Sequence, residues 1–242
     1  MSRVEGVIAV IPARGGSKGI LGKNIANFCG EPLITWSIKA ALASNAIDRI
    51  IVSTDCEEIA SISRAAGAEV PFIRPRELAE DQIHAVHVIL HAIEWLVTQG
   101  SPLPEGVMML LPTSPLRQAA DISGTVDLFR TRNAQAVISV TDLGKYPNNL
   151  RFMDDSELSM AFSGQDRNAQ RQGLKKLYGV NGSIFLARPQ ALKTYGTFHV
   201  EGALGYLMDQ IRSVDINEPA DLELAAQLYH LMQNRSSVEG KS

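Results

Sequence analysis

Short apolar runs alternate along this chain with longer segments in which apolar residues recur every three or four positions. The run Val7–Ile11 is almost wholly apolar and rich in β-branched residues, as expected for a strand that is buried on both faces. Similar runs predict strands at 49–55, 69–73, 106–115 and 134–141, another strand from 180, and a strand end at 213–215.

Helical spacing of apolar residues predicts helices between these strands. They fall at 31–44, 57–67, 85–100 and 121–133, and a terminal helix follows the acidic turn that starts at Asp215. Strands that alternate with helices in this way form a mostly parallel sheet covered by helices. We therefore predict an α/β fold in which ligands bind in loops at the carboxyl ends of strands.

This alternation of strands and helices breaks between about Asp142 and Gly179. The stretch is polar, lacks long periodic segments and exceeds the length of an ordinary connection. We predict a single domain over residues 5–232 in which 142–179 is an inserted arm that could hold short strands. Residues 233–242 are expected to form a disordered tail.

Composition limits the class of protein. The chain has 242 residues, 45% of them hydrophobic, and a net charge of −3, which gives no overall reason to expect nucleic acid or a membrane as partner. Two cysteines are too few for a disulfide framework. The N-terminus lacks the pattern of a secretory signal, and no apolar run approaches the roughly 18 residues of a membrane span, so we expect a cytoplasmic protein.

Candidate chemistry begins directly after the first strand, in the sequence IPARGGSKGILGKN. Glycines at 15, 16, 19 and 22 let backbone N–H groups turn towards one ligand, and Arg14, Lys18 and Lys23 supply positive charge. The loop matches neither the Walker pattern nor the dinucleotide pattern, because Ser17 interrupts both. A solvated basic loop is the alternative, but the position after a buried strand favours a polyphosphate ligand.

The same stretch resembles the signature of the sugar-activating cytidylyltransferases, above all the CMP-N-acylneuraminate (nonulosonic acid) synthetases. Further segments resemble that family in the same order: RIIVSTD, IRPRELAED, LLPTSPLR, RQ followed by NGSIFL, and DINEPADLELA. Together they run from about Val7 to Leu228. The resemblance implies a Rossmann-like, three-layer nucleotidyltransferase with a small dimerisation arm at 142–179.

The resemblance also implies a reaction. The anomeric hydroxyl of a 2-keto-3-deoxy sugar acid, such as sialic, legionaminic or pseudaminic acid, attacks the α-phosphorus of CTP, and pyrophosphate departs. The implied cofactor is Mg²⁺, with Mn²⁺ as an alternative, and the implied partner is a second copy of the chain. Placing two anions together makes cations, N–H groups and the metal the main sources of stabilisation.

Site residues follow from their positions in the family's motifs. The nucleotide is expected to contact Ala13, Arg14, Gly15, Gly16, Ser17, Lys23, Asn24, Arg74, Ala79, Asp81 and Gln82. The sugar acid is expected to contact Leu111, Arg171, Asn181, Phe185 and Lys145, and the guanidinium of Arg171 suits bidentate binding of its carboxylate. The metal positions are Asp215 and Asn217, and the catalytic positions are Arg14, Lys23 and Asp215.

The chain departs from the family's pattern at three of these positions. Leu111 stands where the family has a glutamine that touches the sugar, and Phe185 where it has a tyrosine, so both changes make the sugar pocket less polar. Asn217 replaces the second carboxylate of the family's DID triplet, and an amide carries no charge and cannot act as a general base near neutral pH.

These departures leave alternatives open. The substrate could be an octulosonate or another sugar, and Asn217 raises the possibility of a nucleotide-binding relative with weakened catalysis. A glycosyltransferase is disfavoured because the chain has no D-x-D triplet. His84, His87 and His91 lie on one helical face, where packing is favoured over zinc, and Asp55 is expected to cap the helix that begins at Glu57.

Overall fold

The computed structural model describes residues 6–17, 19–162 and 175–239. Its strands are β1 (Val7–Pro12), β2 (Asn27–Phe28), β3 (Glu31–Pro32), β4 (Arg49–Ser53), β5 (Gly106–Leu110), β6 (Ala136–Asp142), β7 (Arg151–Asp154), β8 (Glu157–Met160), β9 (Tyr178–Ala187) and β10 (Leu204–Met208). Its α-helices are α1 (Leu33–Ala43), α2 (Glu57–Ala65), α3 (Ala85–Thr98), α4 (Ala119–Thr131), α5 (Pro189–Tyr195) and α6 (Pro219–Glu239). Short 3-10 helices lie at Lys23–Ile25, Arg76–Ala79 and Pro147–Asn149.

Six of the strands form one sheet in the order β10-β6-β9-β5-β1-β4. β1 is parallel to β4 and β5, and β10 is parallel to β6, whereas β9 runs antiparallel to both of its neighbours. The carboxyl ends of β1, β4 and β5 therefore meet at one edge of the sheet. The predicted α/β fold with a mostly parallel sheet is confirmed.

Helices cover both faces of the sheet, which gives the molecule three layers. Val7, Ala9 and Ile11 of β1 pack on the side of α1, α2 and α4, while Ile8 and Val10 pack on the side of α3 and α5. This alternation follows from the two-residue period of a strand, and it explains why a strand buried on both faces reads as an unbroken apolar run.

A third, smaller core holds the C-terminal helix α6 against the start of α1. Its buried members are Phe28, Leu33, Leu116, Ile216 and Ala225. Beside them the rings of Trp36 and Tyr229 pack edge-on with their centroids 4.9 Å apart. Helix α6 continues to Glu239, so residues 233–239 are helical where a disordered tail was expected. No helix in the described part of the chain is long and apolar enough to span a membrane.

Part of the predicted insertion is an antiparallel hairpin of β7 and β8 that belongs to a sheet of its own. Its apolar side chains face solvent: Phe152, Met153 and Leu158 are 64%, 75% and 67% exposed. An isolated two-stranded hairpin is marginally stable in water, and exposed apolar surface of this kind usually marks a contact with another molecule.

Two strand predictions at the edges of the sheet were wrong. Residues 69–73 form no strand: they make a single bridge to β4, between Glu69 and Ile51. Residues 213–215 lie outside any strand, and the edge strand is instead β10. β10 was not predicted; it is short and half exposed, and Gly205 interrupts its apolar residues.

Candidate active site

The glycine loop, residues 13–22, connects β1 to the 3-10 helix Lys23–Ile25 and is anchored at both ends. The N–H of Gly15 donates to Asp55 Oδ1 at 2.8 Å, and Asn24 Nδ2 donates to the carbonyl of Arg14 at 2.9 Å. Asp55 therefore holds the loop and does not cap α2 as expected, since Cys56 takes the capping position without a side-chain hydrogen bond. These anchors fix the loop at the carboxyl edge of the sheet.

Opposite the loop lies the segment Asp215–Asn217, and the two are in direct contact. A Cβ atom placed on Gly19 would stand 2.4 Å from the carbonyl oxygen of Asn217, so glycine is required for this approach. Lys23 Nζ donates to the carbonyl of Ile216 at 3.0 Å, and the N–H of Ile216 donates to the carbonyl of Thr113 at 2.8 Å. The loop and the segment thus form two walls of one site.

Between these walls lies a cavity of about 510 Å³ at the carboxyl ends of β1, β4 and β5. Among the described residues, three cationic side chains line it, namely Arg14, Lys23 and Arg74, and Lys18 of the glycine loop lies outside the described residues. Of the other predicted site residues, the cavity wall includes Ser17, Asn24, Asp81, Leu111, Asp215 and Asn217. A cavity with three cations at a strand edge is suited to a polyanion.

Arg74 is the most deeply buried of the three cations, with 5% of its surface exposed. Its Nε donates to Ser53 Oγ at 3.1 Å and a terminal nitrogen donates to the carbonyl of Ser53, while its own N–H donates to the carbonyl of Thr54 at 2.7 Å. Burial lowers the pKa of its guanidinium to about 10, and the Asp55 carboxylate opposes that shift. Arg74 therefore stays charged at neutral pH and is a fixed positive charge.

A second cavity of about 500 Å³ adjoins the first and is lined by the loop 79–82, which includes the predicted residues Ala79, Asp81 and Gln82. Arg14 bridges the two cavities through an ion pair with Asp81 Oδ1 at 2.7 Å and a longer contact with the carbonyl of Ala79 at 3.4 Å. Both side chains of the pair are about a third or more exposed, so the pair contributes little stability and a phosphate can displace it.

The carboxylate of Asp215 is placed to hold a cation. Its Oδ1 is buried and has no hydrogen-bond partner among the residues described, while its Oδ2 accepts a hydrogen bond from Asn217 Nδ2 at 2.9 Å. No group of three or more histidine, cysteine, aspartate or glutamate side chains in the described chain could hold a metal. One carboxylate and one amide suit Mg²⁺, which takes most of its ligands from phosphates and water.

The expected sugar contacts are only partly brought together. Leu111 lines the main cavity beside Gly182, where φ is +73° and an added Cβ would lie 3.9 Å from both Leu111 and Asp215. Asn181 is buried, accepts from Ser139 Oγ at 2.6 Å and does not line that cavity. Phe185 lies in the core beneath α3 and lines a separate cavity.

Four other predicted residues also lie away from the cavity wall. Ala13 is buried and Gly15 packs against Cys56 beneath the loop, while Lys145 is exposed on the segment after β6. Gly16 lines only the second of the two cavities. Arg171 lies outside the described residues.

Sequence reasoning missed Thr113, assigned Asp55 to a helix cap, and did not foresee that Gly19 packs against Asn217; all three residues position the site through contacts to residues far away in the chain. The usable signal was the carboxylate of Asp55, which follows a buried strand directly and could have been assigned to a neighbouring loop.

Of the three histidines predicted on one helical face, His91 packs edge-on against Phe72 with ring centroids 4.8 Å apart.

The model of one protein family, described as cytidylyltransferase, matches residues 8–241. Among curated proteins, the N-acylneuraminate cytidylyltransferase of Escherichia coli is 34% identical over 96% of this chain and 54% of its own length, so the chain spans about half of that relative. The CMP-N,N'-diacetyllegionaminic acid synthase of Legionella pneumophila is 33% identical over 94% of this chain and 97% of its own length. The pseudaminic acid cytidylyltransferase of Campylobacter jejuni is 30% identical over 92% of this chain and 95% of its own length.

Solved structures with the same fold are more distant in sequence. A CMP:2-keto-3-deoxy-manno-octonic acid synthetase complexed with CTP matches with a TM-score of 0.69 at 16% identity, over 94% of this chain and 100% of its own. A 4-diphosphocytidyl-2C-methyl-D-erythritol synthase matches with a TM-score of 0.65 at 14% identity, over 94% of this chain and 100% of its own. At these identities the likeness shows the fold alone.

Proposed function

This chain belongs to the cytidylyltransferase family, and from that membership we propose that it transfers CMP from CTP to the anomeric hydroxyl of a 2-keto-3-deoxy sugar acid. The sugar acids named for its relatives, N-acylneuraminic, legionaminic and pseudaminic acid, set the expected substrate class of nonulosonic acids. An octulosonate is the neighbouring possibility. We place the reaction in the cytoplasm, where CTP is available.

The observation that carries this proposal is the cavity that three cations line together with Asp215, whose buried Oδ1 has no hydrogen-bond partner among the described residues. Arg14, Lys23 and Arg74 supply the positive charge that a triphosphate requires, and Asp215 lies across the cavity from the glycine loop. Two anionic substrates must meet here, and fixed charges in a partly enclosed cavity stabilise them without reorganising during the reaction.

In the proposed reaction the anomeric oxygen forms a bond to the α-phosphorus while the bond to the β-phosphate oxygen breaks. The hydroxyl gives up its proton to solvent, and pyrophosphate leaves with the bonding electron pair. Arg14 exchanges its ion pair with Asp81 for the phosphates, and Lys23 lies where it can contact the phosphates while keeping the glycine loop against Ile216. Arg74, which is held by its hydrogen bond to Ser53 Oγ, lies on the side of the cavity proposed to bind the nucleoside.

We propose that Asp215 and Asn217 hold a Mg²⁺ ion, with Mn²⁺ as a substitute. The unpartnered Oδ1 of Asp215 suits a metal, and Asn217 can turn its amide so that the carbonyl oxygen faces the ion. When bound, the ion neutralises the charge that develops on the phosphates. Because only one of the two residues is charged, most of the remaining ligands would come from the triphosphate and from water.

Pyrophosphate release is the measurement that tests the function. Purified protein with CTP and Mg²⁺ is offered N-acetylneuraminate, legionaminate, pseudaminate and 3-deoxy-manno-octulosonate, and the CMP-sugar is identified by mass spectrometry. We expect release with one sugar, and preferably one with an apolar substituent, because Leu111 offers the cavity no hydrogen bond. ATP, GTP and UTP in place of CTP are the nucleotide controls.

The second candidate function is a nucleotide-binding protein with weakened catalysis, and Asn217 is the observation in its favour. CTP that raises the melting temperature while no sugar yields pyrophosphate would establish this alternative. Neither binding nor turnover would contradict both candidates.

We also propose that the chain forms a homodimer through the hairpin β7–β8. Met153 and Leu158 are paired directly across the hairpin, so both side chains emerge on one face, and both are more than two-thirds exposed. Burying apolar surface of this kind is the main driving force of subunit association. Contact with a second copy gives the hairpin the packing that two strands alone lack.

The double variant Met153→Glu/Leu158→Glu is expected to be a monomer at micromolar concentration, where the unaltered chain is a dimer by light scattering. Four added carboxylates would meet at the interface of a twofold dimer, which is strongly unfavourable. Tyr195→Glu is the matched control, since Tyr195 is 63% exposed on α5, and it should leave the dimer intact. A monomeric unaltered chain, or a double variant that still dimerises, contradicts the proposal.

A further inference from the structure

Arg117, in the loop between β5 and α4, is a fully buried cation without a carboxylate partner among the described residues. It is 3% exposed, and its terminal nitrogens donate to four acceptors: the carbonyls of Leu111 and Ser183 and the hydroxyls of Ser183 and Ser37. Burial lowers the pKa of its guanidinium to about 10, and Asp121 opposes the shift, so Arg117 remains charged at neutral pH.

The guanidinium of Arg117 links β5 and β9 just beyond the point where their backbone pairing ends. The β5–β9 ladder ends at the pair Leu110–Ile184, and the next residues towards the cavity, Leu111 and Ser183, are joined through Arg117. One nitrogen donates to the Ser183 carbonyl at 2.7 Å, and both terminal nitrogens approach the Leu111 carbonyl at 3.3–3.4 Å. The planar fork of arginine holds its donors in a fixed geometry between the two strands, which the flexible ammonium of a lysine does not.

On the other side of β9 the pairing is interrupted at the same level. The β6–β9 register jumps from Ile138–Phe185 to Val140–Val180, which leaves residues 181–184 without regular backbone partners on β6. Ser139 Oγ occupies that gap and accepts from the N–H of Ile184 at 2.7 Å. The position of Gly182, which faces both Leu111 and Asp215, therefore depends on side chains and not on the sheet.

Stability alone does not explain a charged group at this place. Removing a cation from water costs free energy, and neutral hydroxyls and carbonyls return only part of it. The Nε of Arg117 lacks any partner in the described structure, so even its hydrogen bonds are incomplete. Buried polar groups that break the rules of core packing are expected at functional sites.

We propose that Arg117 is a positioning residue for the sugar acid: it fixes Leu111, which lines the cavity, and Gly182, which packs behind Leu111 and Asp215. The inference rests on the proposed function and deepens it. The nucleotide side of the cavity, formed by the glycine loop and Arg74, is held by other contacts, among them those of Asp55 and Asn24. Loss of Arg117 is therefore expected to lower the catalytic efficiency with the sugar acid and to leave the affinity for CTP unchanged.

The test compares Arg117→Met and Arg117→Lys with the unaltered chain. We expect kcat/KM for the sugar acid to fall by about 100-fold in both, because an error of about 1 Å in placing a reactant costs a factor of that size. The Kd for CTP, measured by calorimetry without sugar, should stay within about twofold. Failure of lysine to restore turnover distinguishes the fork geometry from charge alone.

Arg188→Met is the matched control. Arg188 follows the other end of β9 and donates to the carbonyl of Ala134 at 3.2 Å and to Asn133 Oδ1 at 2.7 Å. It should lower the melting temperature without changing the balance between sugar efficiency and CTP affinity. An Arg117→Met variant that loses CTP affinity and sugar efficiency equally, or neither, would overturn the inference.

Ser183→Ala and Ser37→Ala keep the inference testable if the Arg117 variants do not fold. Each removes one hydroxyl acceptor and retains the buried arginine, so each should lower sugar efficiency by several-fold and leave CTP binding unchanged. Unchanged sugar efficiency in both would also overturn it. An unaltered chain that turns over no sugar sinks the proposed function itself, which separates that failure from a failure of Arg117.

Discussion

Lys23→Met is expected to lower kcat/KM for CTP by about 100-fold or more, a loss of about 3 kcal/mol of transition-state stabilisation. The ammonium group of Lys23 contacts the Ile216 carbonyl at 3.0 Å and lines the cavity, so it both supplies charge and holds the glycine loop against the segment of Asp215. Methionine keeps the length of the side chain and removes the charge. Arg14→Ala shares the expectation, since Arg14 lines the same cavity.

Initial rates of pyrophosphate release over a range of CTP concentrations measure the effect, and melting temperatures show whether the fold is intact. The fold should survive, because the single hydrogen bond of Lys23 to a carbonyl contributes about 1 kcal/mol. Lys39→Met is the control: Lys39 is 57% exposed and pairs with Glu31 on the surface. Normal turnover by both Lys23→Met and Arg14→Ala would show that the glycine loop does not bind the triphosphate.

The place of this loop directly after a buried strand was predicted correctly for a local reason. A buried strand, four glycines and three cations follow one another within eighteen residues, Val7 to Asn24, so strand, turn and charge could be recognised together. The same local logic located β4, β5 and helices α1 to α4, in which the apolar pattern is continuous. β10, which is short and half exposed and contains Gly205, was not predicted.

The contacts that assemble the site could not be predicted, because they join residues remote in sequence. Gly15 meets Asp55 across forty positions, and Lys23 meets Ile216 across 193. A carboxylate two residues before a helix fits a capping role equally well, so nothing local told Asp55 apart from a cap. Residue type predicted which groups carry charge, and the packing of the chain decided which groups they meet.

The outcome at Phe185 shows the limit of assigning residues by motif. NGSIFL predicted that Asn181 and Phe185 lie beside the sugar, yet Asn181 is buried and Phe185 packs in the core beneath α3, whereas Leu111 lines the cavity. Gly182 itself needs a left-handed backbone, with φ of +73°, which a side chain would strain. The motif is therefore a backbone requirement as well as a set of contacts.

Asp215→Asn is expected to lower kcat by about 1,000-fold, or about 4 kcal/mol, because it removes the single carboxylate of the proposed metal site. The buried Oδ1 of Asp215 has no hydrogen-bond partner among the described residues, whereas the neighbouring Asp221 carboxylate already accepts from the N–H groups of Asn217 and Glu218. Binding of Mn²⁺ in the presence of CTP, followed by electron paramagnetic resonance, is the readout that does not depend on turnover, and its affinity should fall as well.

Asn217→Asp is the informative companion, since it gives the site a second carboxylate two residues from the first. Mg²⁺ prefers charged oxygen ligands, so the Mg²⁺ concentration for half-maximal rate should fall several-fold. Glu218→Gln is the control, because this neighbouring carboxylate does not line the cavity, and it should retain both turnover and metal affinity. If Glu218→Gln lost as much activity as Asp215→Asn, or if Asp215→Asn kept its Mn²⁺ affinity, the metal would have to be held elsewhere. If the unaltered chain turns over rapidly and Asn217→Asp binds Mg²⁺ more tightly, one carboxylate suffices for catalysis when the triphosphate supplies the remaining charge.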